Sequence, residues 1–159
     1  MTNLLEVRMY EDQDYQSIIQ YSLPREQAIY TSMPADVIET FRNDAFNQPF
    51  MICNGDVLVG CFALYTDASG NIYTNNKNAI LLKSFSIDAR HQKKGYAYQA
   101  LRMLPSVVKN NYQDKDEIIL TVHETNAAAI SLYKKAGFVY RNKNYDGEYG
   151  IERIFQLGL

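Results

Sequence analysis

Apolar positions alternate, cluster or recur with helical period along most of the chain, and the changes of period mark its elements. Residues 4–10 read as a first strand. Asp12 or Asp14 then caps a helix with Tyr15, Ile18, Ile19 and Leu23 on one face, interrupted by Pro24. A second helical region falls in two pieces around Pro34, with Val37, Ile38 and Phe41 at helical spacing. Residues 50–53 and 57–64 form the arms of a hairpin around Asn54-Gly55. If that pair is a two-residue turn, Cys53 faces Asp56 and Cys61 faces Gln48. Residues 67–78, rich in Asn, Gly, Ser and Thr, predict an exposed loop joining two strands. Residues 79–88 are apolar at most positions, as a central strand requires. A helix from about Gly95, a strand over 117–122 and a helix over 126–136 follow. Two last strands, near 138–144 and 151–157, meet at the turn Asp146-Gly147. Pro105 lies inside the helix after Gly95 and predicts a kink or an early end.

Strand, two helices, three strands, helix, strand, helix, two strands is the order of an α/β protein with a mixed sheet and flanking helices. A doubly wound parallel sheet would alternate regularly. No repeat or linker divides the 159 residues, so one domain over 1–159 is expected.

Composition narrows the classes. With 47% hydrophobic and 21% charged residues, the chain has the makings of an ordinary folded protein. A formal net charge of -2 gives no basic surplus, and Arg90, Lys93 and Lys94 form no wider patch, so nucleic acid is not an expected partner. No apolar run approaches the roughly 20 residues that cross a bilayer. The start lacks a basic segment followed by a long apolar one, so a soluble, cytoplasmic protein with no membrane partner is expected. Cys53 and Cys61 are too far offset for a disulfide and suit buried free thiols in a reducing compartment. Cys53, Cys61, His91 and His123 have no zinc-like spacing, so no metal is expected.

Candidate chemistry begins where the central strand ends. After Ile87, a polar loop leads into a helix near Gly95 whose Ala97, Ala100, Leu101, Leu104 and Val108 recur with helical period. Gln92-Lys93-Lys94-Gly95-Tyr96-Ala97 therefore presents free backbone N–H groups at a helix N-terminus, where the macrodipole favours negative charge. Gly95 lets a ligand approach the main chain closely. Ala97 keeps the first turn narrow, and Lys93 and Lys94 add charge: a cradle for a pyrophosphate. The chain has neither a P-loop nor a spaced glycine triplet after its first strand. Further on, residues 118–138 run strand, cap, helix, glycine stop, strand, with Asn126 as cap and Gly137 after the helix.

Together the two segments resemble the Gcn5-related N-acetyltransferase (GNAT) family. Its signature is Arg/Gln-x-x-Gly-x-Gly/Ala followed by Asn-x-x-Ala-x-x-Leu-Tyr-x-x-x-Gly-Phe. Gln92, Gly95 and Ala97 satisfy the first part, and Asn126, Ala129, Leu132, Tyr133, Gly137 and Phe138 the second. The clear resemblance covers residues 79–138. It implies a GNAT-like fold and direct transfer of an acetyl group from acetyl-CoA, as co-substrate, to an amine of a small molecule or of a peptide or protein. It further implies that Phe85, Ser86 and Ile87 bind the pantetheine arm through the main chain. Residues 92–97 would hold the pyrophosphate, Asn126 would touch the coenzyme arm, and Tyr133 would protonate the departing thiolate.

The base is not assigned. Some relatives place a glutamate in the strand before the loop, whereas residues 79–87 contain no carboxylate. Glu124, His123 or ordered waters are the replacements, and His91 is a polar loop residue. The acceptor groove of the family falls at about 21–41 and 142–151. There Tyr21, Tyr30, Tyr140, Tyr145 and Tyr149 offer walls, and Glu26, Glu39, Asp146 and Glu148 offer charge for a cation. Many relatives dimerise through their final strands, so the resemblance implies a homodimer. The alternative function is a non-catalytic acyl-CoA-binding sensor or interaction module of the same fold.

Overall fold

Alternating apolar residues commit Leu5–Met9 to a strand, β1, that pairs antiparallel with β2 (Asn47–Asn54). The computed structural model describes residues 5–159, so residue 4 of the expected first strand lies outside the described residues. Between β1 and β2 lie α1 (Tyr15–Ile18), α2 (Arg25–Ala28) and α3 (Pro34–Asn43). The first is shorter than its apolar spacing predicts: a 3-10 turn over Asp12–Asp14 precedes it, Ile18 is buried and Ile19 exposed. The Asp14 carboxylate accepts from the Glu11 backbone at 2.8 Å and takes both arms of the Arg8 guanidinium at 2.8 Å each. That fork ties the start of α1 to β1.

β2 turns into β3 (Val57–Tyr65), and a loop with one 3-10 turn (Ala68–Gly70) leads to β4 (Ala79–Ile87). Then come α4 (Tyr96–Asn111), β5 (Glu117–His123), α5 (Ala127–Lys135), β6 (Val139–Gly147) and β7 (Gly150–Gly158). The seven strands lie in the order β1-β2-β3-β4-β5-β7-β6, with β4 and β5 parallel and every other pair antiparallel. The mixed sheet expected from the element order is therefore present. One face packs Phe50, Phe62, Leu82 and Leu120 against Leu101, Leu104 and Val108 of α4. The opposite face buries Met51, Cys53 and Cys61 beneath Ile18, Tyr21 and Ile38.

Three local expectations are corrected. The β2–β3 turn is Gly55-Asp56, not Asn54-Gly55, because Asn54 stays in the ladder opposite Val57 with its Nδ2 donating to the Tyr96 hydroxyl at 2.8 Å. A bulge at Ile52/Cys53 shifts the register again, so Cys53 faces Leu58 and Cys61 faces Met51. Both thiols are buried and free. The β6–β7 turn is Glu148-Tyr149, with Gly147 paired to Gly150, since the His123 ring holds the Tyr149 carbonyl. Of the two outcomes expected at Pro105, the early end does not occur, and α4 runs on to Asn111. Burial of Leu101, Leu104, Val107 and Val108 fastens both sides of the proline to the sheet and outweighs the one lost backbone bond.

The feature that makes a site is a parting of strands. β4 and β5 pair only through Ala79, Ile80 and Leu81 with Glu117, Ile118 and Ile119. Beyond Leu81, β4 follows β3 instead, through an irregularity around Ser84, whose φ is 55°. β5 stays with β7 along its whole length. A cleft opens between them. Among the described residues no helix is long and apolar enough to cross a membrane.

Candidate active site

The cleft holds about 1040 Å³ and is lined by β4, the loop after it, the end of β5, α5, α2 and the β6–β7 hairpin. Its β4 wall is main chain. Asp88 N donates to Val59 O at 2.8 Å, and Ser86 lies opposite Cys61 in the same register. Antiparallel alternation then directs the Ser86 amide and carbonyl to β3, and those of Phe85 and Ile87 to the open side. The Ser86 side chain is also engaged, its Oγ 2.8 Å from the hydroxyl of buried Tyr21. Burial drives the Tyr21 phenol well above its ordinary range.

The loop is braced from within. Asp88, 1% exposed, accepts from the Arg90 backbone at 2.9 Å and from its guanidinium at 2.8 and 3.0 Å. Burial opposes the carboxylate's charge, but the bonds from Arg90 prevail and hold it below its usual range. The charge of Arg90 is thus spent on the loop, leaving Lys93 and Lys94 as its unpaired cations among the described residues. Gln92 donates to Ile87 O at 2.8 Å and exchanges bonds with the Gln27 amide at 2.7 and 3.1 Å. Its side chain therefore staples the loop to β4 and to the region of α2. Of the Ile87 main-chain pair, only the amide stays free. Gly95 enters α4 with φ 83°, a left-handed geometry that suits glycine. The first helical bond is Gln99 N to Gly95 O at 3.1 Å, so the N–H groups of Tyr96, Ala97 and Tyr98 have no helical acceptor. Lys93, Gly95, Tyr96 and Ala97 line the cleft; Lys94 does not. The Tyr96 side chain accepts the bond from Asn54, so this residue offers the cleft its backbone.

Asn126 caps α5, its Oδ1 accepting from Ala129 N at 3.3 Å, and its Nδ2 has no protein partner among the described residues. Tyr133 lines the same cleft, edge-on to Phe138 at 5.8 Å. Its hydroxyl has no protein partner among the described residues, and burial pushes the phenol up to about 12. A phenol so placed is protonated and free to donate.

The candidate bases separate. Glu124 is exposed and outside the cleft lining, whereas His123 and His91 line it. Both ring nitrogens of His123 are in use. Nδ1 accepts from Thr125 N at 3.2 Å and from Thr125 Oγ1 at 2.7 Å, which leaves the proton on Nε2 for Tyr149 O at 3.0 Å. Tyr30 completes the chain, its hydroxyl 2.9 Å from Thr125 Oγ1 and its ring 5.6 Å from the imidazole. Of the expected groove residues, Glu26, Tyr30, Glu148 and Tyr149 line the cleft. Tyr140 stacks on Phe155, Tyr145 abuts Tyr73, and Glu39 reaches Arg42 on α3; none of these, nor Asp146, lines it.

Among the lining residues that were not legible as such are Tyr73, Thr121 and Glu152. Glu152 stands opposite His123 in the β5–β7 ladder, and its Oε1 accepts from Thr121 Oγ1 at 3.2 Å. Antiparallel pairing of the last strand with residues 117–123 would have located it. Tyr73 comes from an irregular loop with no periodic signal.

A cleft that opens main-chain groups to one side and a helix N-terminus to the other suits a long thioester with a pyrophosphate. The acetyltransferase (GNAT) family pattern matches residues 10–138. Along 97% of both chains, this one is 32% identical to an uncharacterized N-acetyltransferase, YbbJ, of Bacillus subtilis (strain 168). It is 26% identical to the spermine/spermidine N(1)-acetyltransferase of the same organism, over 91% of this chain and 94% of that one. The crystal structure of aminoglycoside acetyltransferase AAC(6')-Ib with coenzyme A superposes with a TM-score of 0.80 at 16% identity, over 98% of this chain and 95% of that one. The chain belongs to the GNAT family and is an acetyl-CoA-dependent N-acetyltransferase that acts on an amine.

Proposed function

We propose that the acceptor is a small polycationic amine of the polyamine kind and that transfer is direct, without an acyl-enzyme. The observation that carries this is the set of carboxylates Glu26, Glu148 and Glu152 on the walls given by α2 and the last hairpin, interleaved with Tyr30, Tyr73 and Tyr149. Carboxylates between aromatic faces favour an extended chain of ammonium groups, through charge and cation–π contact. Similarity to the spermine/spermidine enzyme of Bacillus subtilis supports the same choice.

The free groups of Phe85 and Ile87 would take the pantetheine amides, and the Asn126 Nδ2 would bond further along that arm. The first turn of α4, with Lys93 and Lys94, would hold the pyrophosphate. Glu152 would anchor the arriving ammonium, which gives its proton to water. The neutral amine then attacks the thioester carbon, and the tetrahedral intermediate collapses with cleavage of the carbon–sulfur bond. The Tyr133 phenol protonates the thiolate, and the second proton of the attacking nitrogen leaves through water, from which the phenolate is reprotonated. The sheet supports one domain over 1–159, and the buried free thiols support a reducing, cytoplasmic setting.

Thiol release from acetyl-CoA with a panel of amines tests the proposal. Spermine and spermidine should be preferred over monoamines, amino acids and peptide N-termini. Turnover confined to peptides or monoamines would overturn the acceptor. Coenzyme binding with no release for any amine, unchanged in Tyr133→Phe, would favour a sensor.

A further inference from the structure

A separate cavity of about 630 Å³ lies over the outer strands and not in the active-site cleft. It exists because β6 carries extra residues. Tyr140 pairs with Phe155 and Asn144 with Arg153, so residues 141–143 stand opposite Ile154 alone. Asn142 takes a left-handed φ of 58° at this bulge. Bulges re-aim side chains, and this one brings both Arg141 and Lys143 to the lining.

These two cations are uncommitted. Neither forms an ion pair or a side-chain hydrogen bond among the described residues, although Arg141 Nη1 is buried. A buried guanidinium nitrogen without an acceptor is costly, and a ligand that supplies one relieves the cost. Asn75 and Asn144 add neutral polar groups to the wall. The one carboxylate there, Glu117, accepts from Asn76 Nδ2 at 3.4 Å, and that amide also donates to Asp116 at 2.8 Å. Two cations therefore face a single, partly engaged acid, and the cavity is of a size that admits a small metabolite.

We infer that Arg141 and Lys143 form an oxyanion site, separate from the coenzyme cradle, for the phosphate or carboxylate group of a small molecule. A planar fork beside a point charge suits such a group. Tyr73 lines both cavities and meets Tyr145 edge-on at 5.1 Å, so the occupant touches the far side of a wall of the acceptor cleft.

The test is amide NMR of the full chain, saturated with coenzyme A so that the pyrophosphate cradle is filled. Inorganic phosphate, citrate and, at matched ionic strength, sodium chloride are titrated separately. Phosphate or citrate should shift amides of residues 72–76 and 141–145 saturably, at lower concentration than chloride; the tighter of the two identifies the group. Arg141→Gln should weaken that binding at least about tenfold, and Arg141→Lys by less, because it keeps the charge and loses the fork. Should Arg141→Gln lose its spectral dispersion, the exposed Lys143→Gln carries the same test. Shifts no tighter than those of chloride, or midpoints unchanged in the folded variants, overturn the site. Neither readout depends on turnover or on the identity of the amine.

Discussion

The imidazole of His123 donates from Nε2 to the carbonyl of Tyr149 across 3.0 Å, joining the end of β5 to the β6–β7 turn. Gly150 makes room for it, since a Cβ there would stand 2.6 Å from the same nitrogen. With Thr125 on Nδ1 and Tyr30 on Thr125, one ring organises three segments around one end of the cleft. A residue so committed is expected to position the cleft wall and not to serve as the base. His123→Ala should therefore raise the acceptor KM about tenfold, the worth of one or two lost hydrogen bonds, and leave the acetyl-CoA KM unchanged. Loss of a general base would instead lower kcat by about 10²–10⁴. Steady-state kinetics with each substrate varied in turn distinguishes the two.

Tyr133 gives a prediction with a pH signature. Its phenol must be protonated to serve the thiolate, and burial raises it to about 12. Because the ionisation lies above the ordinary value of about 10, the competent form persists as pH rises through that value and is lost only near 12. The alkaline limb of kcat should therefore be absent up to about pH 11, to the limit of the protein's own stability. Tyr133→Phe should lower kcat by about 10²–10³ with coenzyme affinity and melting temperature nearly unchanged. A pH–rate profile and coenzyme titration of the variant measure both.

Glu152 of β7 lines the cleft together with Thr121 of β5 and Tyr73 of the loop before β4. If it holds the ammonium, Glu152→Gln should raise the KM for spermine by about 10–100-fold, the worth of a charged hydrogen bond, with a smaller change for a monoamine. Raised ionic strength should narrow the difference between enzyme and variant. Kinetics on the two amines at low and high salt provides the comparison.

The helix entries that border the cleft were legible because their requirements are local. Gly95, the polar run before it and the apolar period after it specify a helix entry, and Asn126 with Gly137 punctuates the next helix. The acceptor side depends on register, which is tertiary. Asn54-Gly55 is a strong turn signal, yet the Tyr96 hydroxyl holds Asn54 in the ladder and moves the turn by one residue. Tyr140 stacks on Phe155 and Tyr145 meets Tyr73 edge-on, neither lining the cleft, while the β5–β7 register sets Glu152 opposite His123 on its wall. Arg90 counts in sequence only as one more cation near Lys93 and Lys94, and its bonds to Asp88 reveal a loop clamp. Pro105 follows the same logic, as burial of the residues around it decides the helix.

The Arg8–Asp14 fork makes a prediction about stability. Hydrogen bonds from Arg8, opposed by burial and assisted by the Glu11 backbone, hold the Asp14 carboxyl below its usual range. A depressed carboxyl contributes stability fully above its unfolded value, about 4, and loses it as pH falls through the lower folded value. Asp14→Asn keeps the shape but removes the charge. It should cost about 1 kcal/mol at pH 7, because Arg8 is partly exposed and solvent screens the pair. The difference between the two proteins should shrink as pH falls from about 4 through the lower folded value, below which the native chain has itself given up the ionised form. Urea unfolding of both at a series of pH values checks it, and a difference that grew with acid would show that the fork is not the source.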